Sequence, residues 1–572
     1  MTQNQLSRTR SYAHGGGGPA LLGVTIGGVL DAAVSRWPEN EALVVIDQGI
    51  RWSWRELRER SLILAAGLLA ADLRPGDRIG ILAPNRAEWL LAQFGSAYAG
   101  LILVNINPAY RLAELEYALN KVRCRALITE TRFKTSDYIS MLNTLAPELA
   151  TATPGRLHAA RLPELRTVIH LGTEILPGMI SFEEIIGRRT QNLLQEVESV
   201  ATRLDFDEPI NIQFTSGTTG APKATTLTHH NMINNAAISA AIMKLSSADR
   251  LCIPVPMYHC FGMVLGTLLC ATCGAVIVFP AAGFDARATL KAIDTESCTA
   301  LHGVPTMFIA MLDEPGFAQF DLRSLRTGIM AGAPCPIELM KRVIEDMHMS
   351  EITIGYGMTE TGPLATQTSP NDPVALRVGT VGRALPHTEV KIVDEEGSIV
   401  ATDVAGELCV RGYNVMRGYW NDPEKTREDI DSAHWIRTGD IATMDEDGYL
   451  RIVGRTKDMI IRGGENIYPR EIEDLLYTNP KIEQVEVVGV PDPKFGEEIA
   501  ACIRLREGER ATVGEIRDFC HGKIAHFKVP RYVYFVDEFP MTVTGKVQKF
   551  ILREQLTESI EHAPRPSQST GT

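Results

Sequence analysis

Hydrophobic residues in the first half of the chain come in short unbroken runs rather than in alternation with polar ones. Arg78-Ile79-Gly80-Ile81-Leu82, Leu101-Ile102-Leu103-Val104 and Ala126-Leu127-Ile128 each read as a strand without a period of two, the pattern of strands covered on both faces. Between them the apolar positions take helical spacing: Leu90, Phe94, Ala97 and Tyr98 in a helix begun at Asn85 and closed by Gly100, and Leu112 to Asn120 in a second. Strand and helix in alternation predict a buried parallel sheet in an α/β domain. Pro154 to Leu165 loses the pattern and reads as a surface connection.

The texture changes after Asp440. Asp445-Glu446-Asp447-Gly448 is a hairpin turn between short strands. Beyond Arg455-Thr456-Lys457-Asp458 the elements are smaller and mixed: a helix over Glu471 to Leu476, then strands over Val485 to Val490 and Ala500 to Leu505. A chain of 572 residues exceeds one hydrophobic core. The expected division is a large α/β domain with a β-rich part over 30–456 and a small α+β domain over 457–555. Disordered tails over 1–29 and 556–572 would flank them. Cys260 to Phe284 carries no charge and could span a bilayer on length alone. However, Thr272-Cys273-Gly274 interrupts it, and Ala275 to Phe279 is a β-branched run stopped by Pro280. A buried helix followed by a strand, and no integral membrane segment, is the expectation.

Composition narrows the function. Hydrophobic residues at 45% and charged residues at 22% describe an ordinary globular protein, and a net charge of −13 argues against a general nucleic-acid binder. Ten cysteines are too dilute for a disulfide scaffold, and Cys270 and Cys273 have no second ligand pair nearby, so buried structural thiols in a reducing compartment are expected. The N-terminal stretch has Arg8 and Arg10 but no apolar signal core, and Gly15 to Gly18 oppose the helix of a transit peptide. The cytoplasm is the expected location, or the mitochondrial matrix in a eukaryote.

The strongest chemical signal is Phe214-Thr215-Ser216-Gly217-Thr218-Thr219-Gly220-Ala221-Pro222-Lys223. Hydroxyl and backbone N–H donors crowd a loop after a strand, glycines permit close approach, and Lys223 adds charge, which suits phosphate oxygens. Its spacing is not that of a Walker A loop.

With that loop the chain resembles the superfamily of acyl-CoA synthetases, luciferases and peptide-synthetase adenylation domains, from about Leu30 to Lys549. The further motifs follow in the family's order: Tyr258-His259-Cys260-Phe261-Gly262, Ala331-Gly332-Ala333-Pro334, Gly355-Tyr356-Gly357-Met358-Thr359-Glu360, Gly406-Glu407-Leu408, Arg437-Thr438-Gly439-Asp440, Gly454-Arg455-Thr456-Lys457-Asp458 and Thr544-Gly545-Lys546. Ala224 departs from the glycine usual after the lysine.

The resemblance implies roles. ATP would be held by Thr215, Ser216, Gly217, Thr218, Thr219, Gly220 and Lys223, and by Gly355, Tyr356, Gly357 and Met358. Gly332, Ala333, Pro334 and Tyr356 would form the adenine slot, Thr359 would meet the α-phosphate, Asp440 the ribose, and Arg455 the domain junction. Glu360 would ligate a Mg²⁺ that travels with ATP. Lys546 would stabilise the charge developing at phosphorus. The small domain would act as a lid turning on a hinge at Lys457, and its Gly463, Gly464, Glu465 and Asn466 would line a tunnel for coenzyme A. The partners implied are small molecules (a carboxylic acid, ATP and coenzyme A), and a homodimer is compatible with them.

On the acyl side, Leu251 to Phe284 holds no Asp or Glu to pair with an amino-acid ammonium group. Tyr258, His259, Met263, Val304, Met307 and Phe308, with Gly332, outline an apolar pocket for a fatty or aromatic acid. His302-Gly303-Val304-Pro305-Thr306 resembles the family's pocket-lining turn. Ala83-Pro84-Asn85-Arg86-Ala87-Glu88-Trp89 and Asn105-Ile106-Asn107-Pro108-Ala109-Tyr110-Arg111 look most like the medium-chain acyl-CoA synthetase branch. An adenylating enzyme with an aromatic acid or a carrier-protein acceptor is the alternative.

Overall fold

The unbroken apolar runs do form strands covered on both faces. A computed structural model describes residues 9–215, 222–542 and 547–562. An eight-stranded sheet runs in the order Ile180–Ser181, Thr167–His170, Ala126–Thr129, Arg78–Leu82, Ile102–Asn105, Pro209–Thr215, Lys223–Thr228 and Gly418–Tyr419. The first six strands are parallel and the last two are antiparallel additions. A nine-stranded sheet has a parallel centre of Glu351–Gly357, Thr327–Ala331, Ala300–Gly303, Arg250–Cys252, Val276–Phe279 and Glu41–Val45. A five-stranded antiparallel sheet contains Ile436–Met444 and Leu450–Arg455, joined by the expected hairpin turn.

Cys260 to Phe284 folds as a helical stretch, Cys260–Cys273, ended by Gly274 at φ +81° and followed by the strand Val276–Phe279. Among the described residues, no helix is long and apolar enough to cross a membrane. One apolar cluster ties the large sheets together as far as Leu450, and from Ile460 onward separate clusters take over. Ile452 still packs against the first cluster, so the core changes between Ile452 and Ile460.

Three expectations are corrected. The segment 1–29 was expected to be a disordered tail, but its described part is built in. Tyr12–His14 pairs antiparallel with Thr388–Val393, and the Tyr12 hydroxyl donates to Glu389 at 2.6 Å. A Cβ at Gly15 would sit 1.8 Å from the Leu385 carbonyl oxygen, so glycine here permits a close approach rather than disorder. Helix Ile26–Arg36 follows, capped by Thr25. At the other end, the helix Lys549–His562 crosses the expected boundary at 555/556, because Leu552 and Leu556 are buried against Val488 and Val490. Asn85 does not start its helix, which runs Ala87–Tyr98; its side chain is spent elsewhere, as shown below.

Candidate active site

Strands Pro209–Thr215 and Lys223–Thr228 pair so that Thr215 lies opposite Lys223. The phosphate-loop residues Ser216, Gly217, Thr218, Thr219 and Gly220 lie outside the described residues, but both of the loop's ends are placed. Thr215 Oγ1 donates to Glu360 Oε1 at 3.0 Å. Lys223 Nζ donates to Tyr419 Oη and to Asp429 Oδ2, both at 2.9 Å. Tyr419 Oη lies 2.8 Å from Asp429 Oδ2 and 3.2 Å from Glu360 Oε1. Burial, and then the Glu360 charge, hold the Tyr419 phenol far above its ordinary pKa, so it is a donor. Glu360 is 4% exposed. Its buried carboxylate, held on one oxygen by the Thr215 hydroxyl with the Tyr419 hydroxyl within reach, is a hard ligand suited to Mg²⁺.

The parallel register sets Ala331 beside Gly355, so the turn Gly332-Ala333-Pro334 leaves the sheet next to Tyr356. Gly332 takes φ +88°, a left-handed turn that frees the strand end. Gly357 packs its backbone on Pro363, where a Cβ would come within 2.0 Å of the carbonyl oxygen. Tyr356 Oη donates to Asp440 Oδ2 at 2.5 Å, and Arg455 Nε donates to Asp440 Oδ1 at 2.9 Å. Asp440 is 5% exposed, so the two donors fix a buried carboxylate. Burial and the Asp440 charge raise the Tyr356 phenol well above its usual value, and Asp440 raises Arg455. Met358 opens the short turn Thr359–Thr361, in which Thr359 and Glu360 are buried.

The acyl-side segment is held by two buried asparagines. Asn85 Oδ1 accepts from the Met257 N–H at 2.7 Å while its Nδ2 donates to the Val255 carbonyl at 2.9 Å. Asn105 Nδ2 donates to the Tyr258 carbonyl at 3.0 Å. His259 caps the next helix through Nδ1, which accepts from the Phe261 N–H at 3.2 Å. Met263, Val304, Met307 and Phe308 are buried. Behind them, His302 Nδ1 accepts from the Ile329 N–H at 3.1 Å and Nε2 lies 3.0 Å from the Leu265 carbonyl, and burial pushes the imidazole down to about 4. Cys260 Sγ lies 3.8 Å from Thr359 Oγ1, so the acyl and phosphate sides touch. The Cys270 and Cys273 thiols meet backbone carbonyls such as that of Leu269, and burial raises both thiols.

In the small domain, Gly463 and Gly464 form a two-residue turn with φ +60° and +90° between Arg462 and Glu465. Gly463 N–H donates to the Phe495 carbonyl at 2.8 Å, and Asn466 lies opposite Ile461. The Lys457 side chain reaches solvent, yet crowding around its ammonium group and the nearby Arg455 and Lys223 charges lower its pKa. Lys546 lies outside the described residues. Lys549, three residues on, donates to Glu473 at 2.5 Å and to the Val487 carbonyl at 3.3 Å.

Tyr419 and Asp429 were missed from the sequence. Asp422-Pro423 is a helix-start signal, and it puts Asp429 at the C-terminal end of the helix Pro423–Asp429, where the backbone carbonyls disfavour an anion. That mismatch was the available clue.

Residues 30–420 match the model of the AMP-binding enzyme family, and residues 471–546 match that of the AMP-binding enzyme C-terminal domain. The chain is 48% identical over 555 residues to the mitochondrial medium-chain acyl-CoA ligase ACSF2 of Danio rerio, covering 96% of this chain and 91% of that protein. The human ACSF2 is 45% identical over 552 residues, covering 96% and 90%. Among solved structures, the anthranilate CoA ligase AuaEII in complex with anthranoyl-AMP is similar with a TM-score of 0.83 at 26% identity, covering 95% and 99%. The Mycobacterium tuberculosis fatty acyl CoA synthetase is similar with a TM-score of 0.70 at 29% identity, covering 94% and 99%.

Proposed function

The chain belongs to the AMP-binding enzyme family, and from that premise we propose how its residues divide the work of an ATP-dependent, AMP-forming fatty acid–CoA ligase. The reaction converts a medium-chain acid, ATP and coenzyme A to acyl-CoA, AMP and pyrophosphate through an acyl-adenylate. The observation that supports this division best is the contact between two unlike surfaces. A carboxylate, hydroxyl and ammonium cluster at Glu360, Thr215, Tyr419 and Lys223 meets, through Thr359 and Cys260, an apolar wall without acidic residues.

Tyr356 and the Gly332-Ala333-Pro334 turn receive adenine, and Asp440, fixed by Tyr356 and Arg455, accepts the ribose hydroxyls. Lys223 and the loop from Thr215 to Gly220 hold the outer phosphates. Glu360 would hold a Mg²⁺ carried in with ATP, and the ion when bound would supply positive charge beside the phosphates. The fatty carboxylate attacks the α-phosphorus near Thr359, with Lys546 stabilising the added charge. The small domain then turns at Lys457 and brings Gly463, Gly464 and Glu465 to the site. The coenzyme A thiol attacks the acyl carbonyl there, and AMP leaves. Tyr258, His259, Val304 and Gly332 bound the chain. The aqueous setting is cytoplasmic or, as in the ACSF2 proteins, mitochondrial.

An aromatic acid is the second reading, favoured by the likeness to the anthranilate ligase. Product analysis with ATP, Mg²⁺ and coenzyme A over short, medium, long and aromatic acids tests both. Acyl-CoA, AMP and pyrophosphate in equal amounts, greatest with medium chains, are expected. Faster turnover of benzoate-type acids would replace the fatty acid, and acyl-AMP that never passes to coenzyme A would replace the acceptor.

A further inference from the structure

The Lys223 ammonium is held from one side by an acid that lies 206 positions away in the sequence. Asp429 Oδ2 accepts from Lys223 Nζ at 2.9 Å and from Tyr419 Oη at 2.8 Å, while Oδ1 lies 3.2 Å from Lys425 Nζ. Both oxygens of the carboxylate are engaged, so its orientation is fixed. The helix Pro423–Asp429 that carries it is itself locked to the strand Gly418–Tyr419. Thr426 Oγ1 accepts from the Tyr419 N–H at 2.9 Å and donates to the Asp422 carbonyl at 2.8 Å. A Cβ at Gly418 would come within 2.8 Å of Thr426, so glycine is what lets helix and strand approach. Lys223 also lies over the Tyr419 ring at 4.6 Å. Burial raises the Asp429 carboxyl, but the Lys223 and Tyr419 donors outweigh it and leave its pKa below the usual carboxylate value. It is an anion at neutral pH.

Lysine has a long flexible stem, and fixing it costs rotamer entropy when a ligand must do the ordering. Here the protein does that ordering itself. We infer that Asp429 is a positioning residue for ATP: with Tyr419 it sets the Lys223 ammonium beside Glu360, so that two of its N–H bonds are spent on the protein and its place is set before a phosphate oxygen arrives. This rests on the reading of Lys223 as a phosphate-binding cation. Tyr419 carries a single proton and stands within reach of two carboxylates, Asp429 and Glu360, so it donates to one at a time. Lys223 and the metal-binding acid are thereby linked through one hydroxyl.

The test is ATP binding by calorimetry, with Mg²⁺ and no fatty acid, alongside steady-state kinetics of Asp429→Asn, Asp429→Glu, Lys223→Ala and the double variant. Asp429→Asn is expected to weaken ATP binding and raise KM for ATP by about tenfold with the KM for fatty acid unchanged. Asp429→Glu should recover part of that loss. In the Lys223→Ala background, Asp429→Asn should add nothing, because the cation it positions is gone. Transfer from supplied acyl-adenylate to coenzyme A should be unaffected. Unchanged or tighter ATP binding in Asp429→Asn overturns the inference, and the tighter case would make the carboxylate a competitor of phosphate. Equal loss in both half-reactions, with a lowered melting temperature, also overturns it, as a structural effect. If Lys223→Ala itself leaves ATP binding intact, it is the phosphate reading of the site that fails.

Discussion

The acyl wall and the phosphate corner adjoin, yet their titratable groups are treated in opposite ways. On the acyl side burial drives two ionisable groups toward their neutral forms: it pushes His302 down to about 4 and Tyr258 well above its ordinary value. Around Lys223 and around Asp440, the proposed phosphate and ribose partners, charges are kept and paired, as in Lys223 with Asp429 and Arg455 with Asp440. A low-dielectric pocket cannot hold an unpaired charge cheaply, so the first arrangement suits an apolar chain. The second, with cations and acceptors held in place by the protein, suits an anion and a diol. If the proposed assignment holds, substrate choice and nucleotide binding depend on different forces, and changes on one side should leave the other nearly untouched.

The sharpest break is expected at Lys546. Lys546→Ala should slow acyl-adenylate formation by about 10²–10³-fold while transfer from supplied acyl-adenylate to coenzyme A changes little; rapid-quench assays of the two half-reactions read this. Next, Asp440→Ala removes the carboxylate proposed to hold the ribose and takes from Arg455 its Asp440 acceptor. It should raise KM for ATP by roughly 10–100-fold with acid preference unchanged in the substrate panel.

Acidification should act on the other side. His302 is neutral in the fold, with its pKa lowered from 6.5 to about 4, so its contribution is fully present above pH 6.5 and is lost as pH falls toward 4. The loss at pH 4.5 is roughly 2–3 kcal/mol, visible as a falling melting temperature. His302→Gln should melt lower at pH 7 but lose less on acidification. Val304→Phe should reduce kcat/KM for longer acids by about tenfold relative to shorter ones and leave the KM for ATP alone. Cys273→Ala should be the smallest change, with both half-reactions within about twofold of the parent, as expected of a thiol that only packs.

The parallel strands were legible because burial on both faces writes unbroken apolar runs, as in Arg78–Leu82 and Ile102–Asn105. The candidate motifs stood out because glycine and hydroxyl residues cluster in a pattern that suits a backbone approaching phosphate, although Ser216 to Gly220 lie outside the described residues. Asp429 and Tyr419 were not, because their meaning lies in contacts to Lys223 that cross about two hundred residues. Asn85 was taken for a helix start, since side-chain bonds to Val255 and Met257 leave no local periodicity. The N-terminal glycines were read only as opposing a transit-peptide helix, whereas at Gly15 the missing side chain admits the Leu385 backbone.

The most direct test of the central claim is ATP–pyrophosphate exchange with a medium-chain acid and Mg²⁺ in the absence of coenzyme A. Exchange that requires the acid, and acyl-AMP that disappears into acyl-CoA when coenzyme A is added, is the predicted result. Exchange that appears only when coenzyme A is present would contradict an acyl-adenylate formed before the thiol enters.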